Sequence, residues 1–416
     1  MQLLLFEDFR VLELRPLVSL KPVYSLTAGF RTLREKMAHA LGGGMELTFH
    51  LRRSLAPCFA AENPSCTVNT LRDDELLLIN GRMFPSGELQ GMIGENAFEP
   101  RTAYLQDGTL LFARIPSGLL LGGTGMMPDL IDTAFLSGEL LTRKLSGFRI
   151  IDNLWDLIAF HPDELQRDAC SLELGRIEGE IHPSAVIVNP SNVSVGPGAV
   201  VQAGAIIDAG DGFVALGAGA VAEPHSLLRQ NVFLAPRSRA RAGARIYSNV
   251  SIGSFSKAGG EVEDSVIEPF ANKQHEGFLG HSYISSWCNL GAGTNTSDLK
   301  NNYSPVKIFV NGQERQTGLQ FLGLLMGEHS KCSINSMFNT GTVVGTAANI
   351  FGGGFPPKEV PSFSWGGSGG FEPYDPSKAL ETARRVMERR QVSMSAAYEA
   401  MFLHVAGTEG RGDVFI

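Results

Sequence analysis

Cysteine is scarce in this chain. Its 416 residues hold five, Cys58, Cys66, Cys170, Cys288 and Cys332, odd in number and without a Cys-x-x-Cys pair. That speaks against a disulfide framework or a zinc knuckle and fits a reducing cytoplasm. Basic runs are missing as well. A formal net charge of −8 without a long Lys/Arg stretch argues against nucleic acid or an acidic membrane as the partner, although local basic spots can still hold phosphates. No stretch approaches the ~18 uninterrupted apolar residues of a membrane span. The opening MQLLLFEDF has no basic region, and its apolar run Leu3–Phe6 stops at Glu7 and Asp8, so no signal peptide is expected. The expectation is a soluble, cytoplasmic protein with no membrane partner.

What is present divides the chain. With 43% apolar residues there is enough for a core in two domains and a tail. Glycine, 48 residues, is well above the usual roughly 7%, and the excess lies mostly after residue 190. There the strongest regularity is a hexad: Leu216, Ala222, Leu228, Leu234, Ala240, Ile246, Ile252 and Ala258, with shorter runs at Val195, Val201, Ile207 and at Met326, Cys332, Phe338, Val344, Ile350. A period of six fits neither a helix nor an alternating strand. Three hexads make one triangular coil, and stacked coils bury an aliphatic column, so residues 180–355 read as a parallel β-helix. The hexad fails between Glu268 and Gly280, and 295–304 reads as a polar insertion. Residues 1–170 read as α/β, with strands at 3–6 and 75–81, a helix at 30–41 and an amphipathic exit helix at 154–169. Residues 351–370 read as a Pro/Gly linker, and 375–391 as a charged helix within a C-terminal helical tail spanning 356–416.

Inward positions of a β-helix are committed to packing, so chemistry must sit on outer faces or departing loops. The stretch HEGFLGHSYISSWCNLGAGTNTSDLKNNYSPVK (275–307) concentrates the groups able to bind and move protons. It resembles the acetyltransferase half of the bifunctional N-acetylglucosamine-1-phosphate uridylyltransferase/glucosamine-1-phosphate acetyltransferase family. With GGEVEDSVIEPFANKQHEGFLGHS and FLGLLMGEHSKCSINSMFNTGTVVG it is more similar still to a divergent branch of that family described as sugar nucleotidyltransferases. The hexapeptide-repeat form in that family is left-handed. The resemblance implies acetyl transfer from acetyl-CoA to an amino sugar 1-phosphate with His275 as general base, a task suited to a near-neutral imidazole. It implies that Asn289 binds substrate and that the Ala292 amide stabilises the oxyanion. Asn302, Tyr303 and Lys307 would hold the sugar and its phosphate. Arg241 resembles the arginine at the phosphate, Lys257 a second basic residue, and His329 a neighbour of the coenzyme or the end of a turn. Phe278 stands where the family has tyrosine. The resemblance also implies a homotrimer with the site between neighbouring coils. His281, six residues beyond His275, is expected to take a surface or loop-anchoring role. Since the spacing differs from that of three-histidine zinc enzymes on related coils, no metal site is expected there.

FRVLELRPLVSLKPVYSLTAGFRTLREKM (9–37) resembles the opening of sugar-1-phosphate nucleotidylyltransferases, with Arg15 and Lys21 among the matched or adjacent residues. LLLINGRMF (76–84) resembles their Asn-Gly-Asp strand end, at Asn80 and Arg82. Two departures matter. LLFEDFR replaces the glycine-rich turn, putting Glu7 and Asp8 where amides would meet phosphate, and Arg82 stands where an acid would bind magnesium. Mg2+ is therefore expected only if that domain is active, with UTP or dTTP as partner. Two alternatives to acyl transfer follow: nucleotidyl transfer to a sugar 1-phosphate, or a non-catalytic sugar-nucleotide-binding or assembly protein.

Overall fold

The computed structural model describes residues 1–42, 46–122 and 125–409; the end of the expected tail, 410–416, lies outside them. In the first region the strand Gln2–Phe6 is buried along its whole length. It pairs in parallel with Leu47–Phe49 and Glu75–Asn80, and Glu75–Asn80 runs antiparallel to Thr109–Pro116. Strands covered on both faces read as continuous apolar runs, which is why LLLF and LLLI carry no alternation. The first helix starts at Leu33, where Thr32 and Glu35 form a reciprocal capping box. Phe30, expected inside it, instead stacks on Phe233 of the coil at 4.0 Å. The expected exit helix is two pieces, Asp156–Ala159 and His161–Ala169, because Pro162 cannot continue a helix but can start one.

The rest is a parallel β-helix of three faces. The first face runs from Glu180–Ile181 through Arg239–Ala240, Lys257–Ala258, Asn272–Lys273, Asn289–Leu290 and Lys331–Cys332; the second includes Arg245–Ile246, Glu261–Glu263 and Phe278–Gly280; the third includes Val250–Ile252, Ser265–Ile267 and Tyr283–Ile284. Ala240, Ile246, Ile252 and Ala258 all point inward and are fully buried. The coil does not lapse between Glu268 and Gly280. Its inward row continues through Val262, Ile267, Lys273, Leu279 and Ile284, and tightened corners shorten some steps, disguising the period. The expected linker is also coil in part, since Glu359–Val360 and Ser364–Gly367 pair in register with Val343–Val344 and Asn349–Ile350.

Two structures cover the coil. Between Thr296 and Leu324 the chain leaves it and forms the hairpin Lys307–Val310/Gln313–Gln316. At the C-terminus Pro376–Glu388 and Ala396–Glu409 pack onto one corner, and their buried residues share one apolar core with the first region. Among the described residues no helix is long and apolar enough to cross a membrane.

Candidate functional site

His275 sits on the corner Gln274–Gly277, where the first face turns into the second, and its side chain is exposed. One coil on lies the corner Gly291–Thr294. Gly293 N–H donates to the Glu276 carbonyl at 3.0 Å, and Phe278 N–H to Asn295 Oδ1 at 2.9 Å, which stacks Ala292 on His275 at one coil spacing, about 4.8 Å. Among the described residues, nothing accepts a hydrogen bond from the Ala292 N–H and nothing bonds to the His275 ring. An open imidazole and an unused amide are thus held one coil apart. A base needs a free nitrogen and an oxyanion needs a free donor, and both are present. Gly277 permits the tight stacking: at φ +122, a Cβ there would lie 2.0 Å from the Thr294 carbonyl oxygen.

The corner is pinned from inside. Lys273 occupies an inward position and is 1% exposed. Its ammonium donates to the carbonyls of His275 (2.7 Å), Gly277 (2.8 Å) and Gly259 (2.9 Å). Burial pulls this lysine down to about 8. Asn289 lies in the adjacent outward row, in register with Asn272 and Lys331. Lys257 lies one coil below Asn272 in that row. Arg241 turns the preceding corner and is ion-paired to Glu223 at 2.6 Å.

The other expected partners lie elsewhere in the chain. Tyr303 is 67% exposed on the excursion, Asn302 caps its own turn by accepting from Ser304 N–H at 3.1 Å, and Lys307 is paired with Glu314 at 2.7 Å. Among the described residues no hydrogen bond or ion pair joins these three to His275. His329, expected near the coenzyme, is 2% exposed and lies beneath the C-terminal helices, with Nε2 2.8 Å from the Tyr398 hydroxyl. It belongs to a ring ladder: Phe255 stacks on Phe270 at 5.0 Å, Phe270 on Trp287 at 4.2 Å and Trp287 on His329 at 6.0 Å. Each of these residues takes positive φ at the same corner of its coil. The signal was present in IGSFSK, IEPFAN, ISSWCN and MGEHSK, where the fourth residue recurs. His281 anchors the start of the excursion: Nδ1 lies 2.8 Å from Asp298 and Phe321 stacks on its ring. Burial opposes its charge, but the Asp298 hydrogen bond and nearby Asp264 and Glu263 outweigh that and raise its pKa. Donor atoms of Glu263, His281 and Asp298 lie within 4.8 Å of one another, a carboxylate–imidazole cluster at the foot of the excursion.

In the first region the expected nucleotidyl residues are taken. Arg82 is 0% exposed and fills both oxygens of Asp8, at 3.2 and 2.9 Å, while also reaching Asp152 and the Ile151 carbonyl. Asn80 donates to Asp8 at 3.0 Å and to the Leu110 carbonyl. Glu7, also buried, accepts from Val23 N–H and from Arg52. Lys21 crosses to the coil between Glu268 and Glu328, the latter at 2.7 Å. Burial works against its charge, and the two carboxylates overcome this and raise its pKa. Arg15 pairs with Glu409 at 3.0 Å. A magnesium ion does not fit here, since a guanidinium already saturates the Asp8 carboxylate.

Residues 3–177 match the sugar nucleotidyl transferase family model. A bifunctional sugar-1-phosphate nucleotidylyltransferase/acetyltransferase of Sulfurisphaera tokodaii is 32% identical over 100 residues, 24% of this chain and 25% of that protein. A bifunctional protein GlmU of Thermosipho africanus is 39% identical over 82 residues, 20% and 16% of the two chains. The chain thus spans a quarter or less of the length of these relatives. Among solved structures, a UDP-N-acetylglucosamine acyltransferase of Francisella novicida covers 57% of this chain and 92% of its own, at 16% identity and a TM-score of 0.27.

Proposed function

We propose that this protein transfers an acyl group, acetyl in the simplest case, from a coenzyme A thioester to an amino sugar 1-phosphate. The observation that carries the reading is the pairing of an unencumbered His275 with the unused Ala292 amide one coil away. The imidazole takes the proton of the attacking amine as the C–N bond forms. The amide steadies the oxygen of the tetrahedral intermediate, which collapses to release the thiolate. Asn289 in the adjacent row orients the sugar. Arg241 and Lys257 supply positive charge toward its phosphate. The bifunctional relatives' names support the same reaction class.

The proposal includes a cytoplasmic homotrimer. Beside the corner, Ile334 is 67% and Met337 39% exposed, apolar surface that a neighbouring coil would cover while bringing Asn302, Tyr303 or Lys307 of another copy to the site. The organisation proposed with it is an α/β domain over 1–170, an acyltransferase coil that starts at 180 and runs past the expected boundary at 355 through the strand Ser364–Gly367, and a C-terminal helical tail after it. A second reading, nucleotidyl transfer with UTP or dTTP, is favoured by the family match over 3–177 but opposed by the buried pairs of Asp8 and Lys21.

The test is thiol release from acetyl-CoA with glucosamine 1-phosphate, against pyrophosphate release from UTP or dTTP with sugar 1-phosphates and magnesium. Acceptor-dependent thiol release abolished in His275→Ala upholds acyl transfer. Pyrophosphate release without it would replace acyl transfer by the second reading, and silence in both assays would leave the non-catalytic one.

A further inference from the structure

The excursion leaves the coil at a corner where acids stack. Glu263 ends a strand of the second face and pairs in register with Gly280, the end of the strand one coil on. His281 follows Gly280 directly. Asp298 follows Asn295–Thr296, the strand of the coil after that, whose Thr296 hydroxyl reaches back to the Phe278 carbonyl at 3.4 Å. Successive coils, about 4.8 Å apart, thus bring Glu263, His281 and Asp298 to one corner, with donor atoms within 4.8 Å of one another. Gly280 makes the room, since a Cβ there would lie 2.3 Å from Asp298 Oδ2. His281 lacks the two further histidines of a three-histidine site, and acids from the coils on either side stand in their place.

The charges at this corner do not balance. Asp298 Oδ2 lies 2.8 Å from His281 Nδ1, and Asp264 Oδ2 lies 3.7 Å from Nε2, on the other side of the ring. Among the described residues, the Glu263 carboxylate has neither a hydrogen bond nor an ion pair. Even with the imidazole protonated, three carboxylates against one imidazolium leave two negative charges over. No lysine or arginine among the described residues pairs with these acids, and Arg245 of the same face is spent on Glu261 and Glu276, at 3.6 and 3.3 Å. Asp298 is only 7% exposed, yet its carboxylate has no partner outside the cluster among the described residues. A carboxylate so buried calls for a cation.

We propose that Glu263, His281 and Asp298 bind a divalent transition-metal ion, with zinc the best match to one imidazole nitrogen and two carboxylate oxygens, and that the ion clasps the excursion to the coil. Ligand atoms about 2.1 Å from one ion stand about 3.0–3.4 Å apart, so the contact between His281 and Asp298 is already close to one edge of a coordination shell. Glu263, with no partner to give up, is free to close the rest. Asp264 then plays the part of the outer carboxylate that holds the second nitrogen of a metal-bound imidazole, and Phe321, stacked on the ring at 4.9 Å, fixes its plane. The site does not depend on the acyl-transfer reading. Its consequence for that reading is positional, because the clasped excursion carries Asn302, Tyr303 and Lys307.

The test is calorimetric titration of the chelator-stripped full chain with Zn2+, Mn2+, Mg2+ and Ca2+. Zinc should bind at one equivalent that disappears in Glu263→Gln, a variant that breaks no existing contact and so keeps the fold. Asp298→Asn should lose it too, and Asp264→Asn should weaken zinc about tenfold or more. Manganese, lower in the affinity order, should bind more weakly. His182→Gln, an exposed histidine remote from the corner, should bind like wild type. Zinc should also slow tryptic cleavage after Lys300 in the wild type but not in Glu263→Gln. A wild-type chain that takes up no zinc, an equivalent that survives both Glu263→Gln and Asp298→Asn, or a preference for Mg2+ or Ca2+ would overturn the site. His275→Ala should keep wild-type zinc binding, so the site can stand even if acyl transfer is not detected.

Discussion

The first region and the His275 corner use the same kinds of side chain to opposite ends. Around Asp8 every polar group is consumed: Arg82, Asn80 and the Arg10 amide fill the carboxylate, and Lys21 is spent on the contact between the first region and the coil. At the corner, His275, the Ala292 amide and the row of Lys257 are left open. A buried charge without a partner is costly, so a site sealed from water must satisfy itself. A site facing water can keep capacity for a substrate. The comparison separates charges that hold the molecule together from charges that wait for a ligand.

The sharpest way to break it is a pair of substitutions. His275→Ala should reduce acetyl-dependent thiol release by about 10²–10⁴-fold and leave the unfolding midpoint within about 0.5 kcal/mol of wild type. Arg82→Ala should do the converse, destabilising by about 3–5 kcal/mol because it strands Asp8 in the interior. Urea unfolding reads both, and soluble Arg82→Ala protein should still transfer acyl groups at low temperature. If Arg82→Ala proved as stable as wild type while abolishing pyrophosphate release from UTP, the first region would be a working site.

Lys273 lies between these extremes, a buried cation whose partners are backbone carbonyls. Its pKa is lowered to about 8, against roughly 10.4 in an unfolded chain. Between those values the unfolded chain holds the proton that the folded one has lost, so this lysine makes stability rise with pH across that window. Below about 8 its cost is constant. Relative to Lys273→Met, the wild type should therefore gain up to about 1.4 kcal/mol per pH unit through the window, measurable by denaturant melts from pH 7 to 10.5. A gap that does not move with pH would place the titration elsewhere.

Much of this architecture was legible in the sequence, and the failures are physical. The hexad from Leu216 to Ala258 identified the coil because its inward residues are small or aliphatic. It seemed to stop at Glu268 because the tightened corners before Val262 and Ile267 shorten the step and because Lys273 puts an ammonium where an aliphatic belongs. His329 looked like a loop histidine, since its ladder mates Phe255, Phe270 and Trp287 are neighbours only once the coil is wound. The position of the Asp8 and Arg82 segments was readable from the resemblance. That they would bond to each other was not, because the partners lie 74 residues apart.

The smallest expected effect concerns the residue where the resemblance to the acetyltransferases departs. Phe278 stands where the resemblance places a tyrosine whose hydroxyl would touch the substrate, and the resemblance alone implies that restoring it is a gain. The geometry argues otherwise. A Cβ on Gly280 would meet Asp298 Oδ2 at 2.3 Å and Phe278 Cζ at 2.6 Å, so the ring tip leans over Gly280 toward the Asp298–His281 pair and away from the corner. A hydroxyl added there would donate to Asp298, contributing roughly 0.5–1.5 kcal/mol to stability. Phe278→Tyr should therefore raise the unfolding midpoint slightly and change KM for the amino sugar by no more than about threefold. A KM that falls tenfold, about 1.4 kcal/mol, would mean that the ring swings to the His275 corner when substrate binds, and that this residue belongs with the open groups.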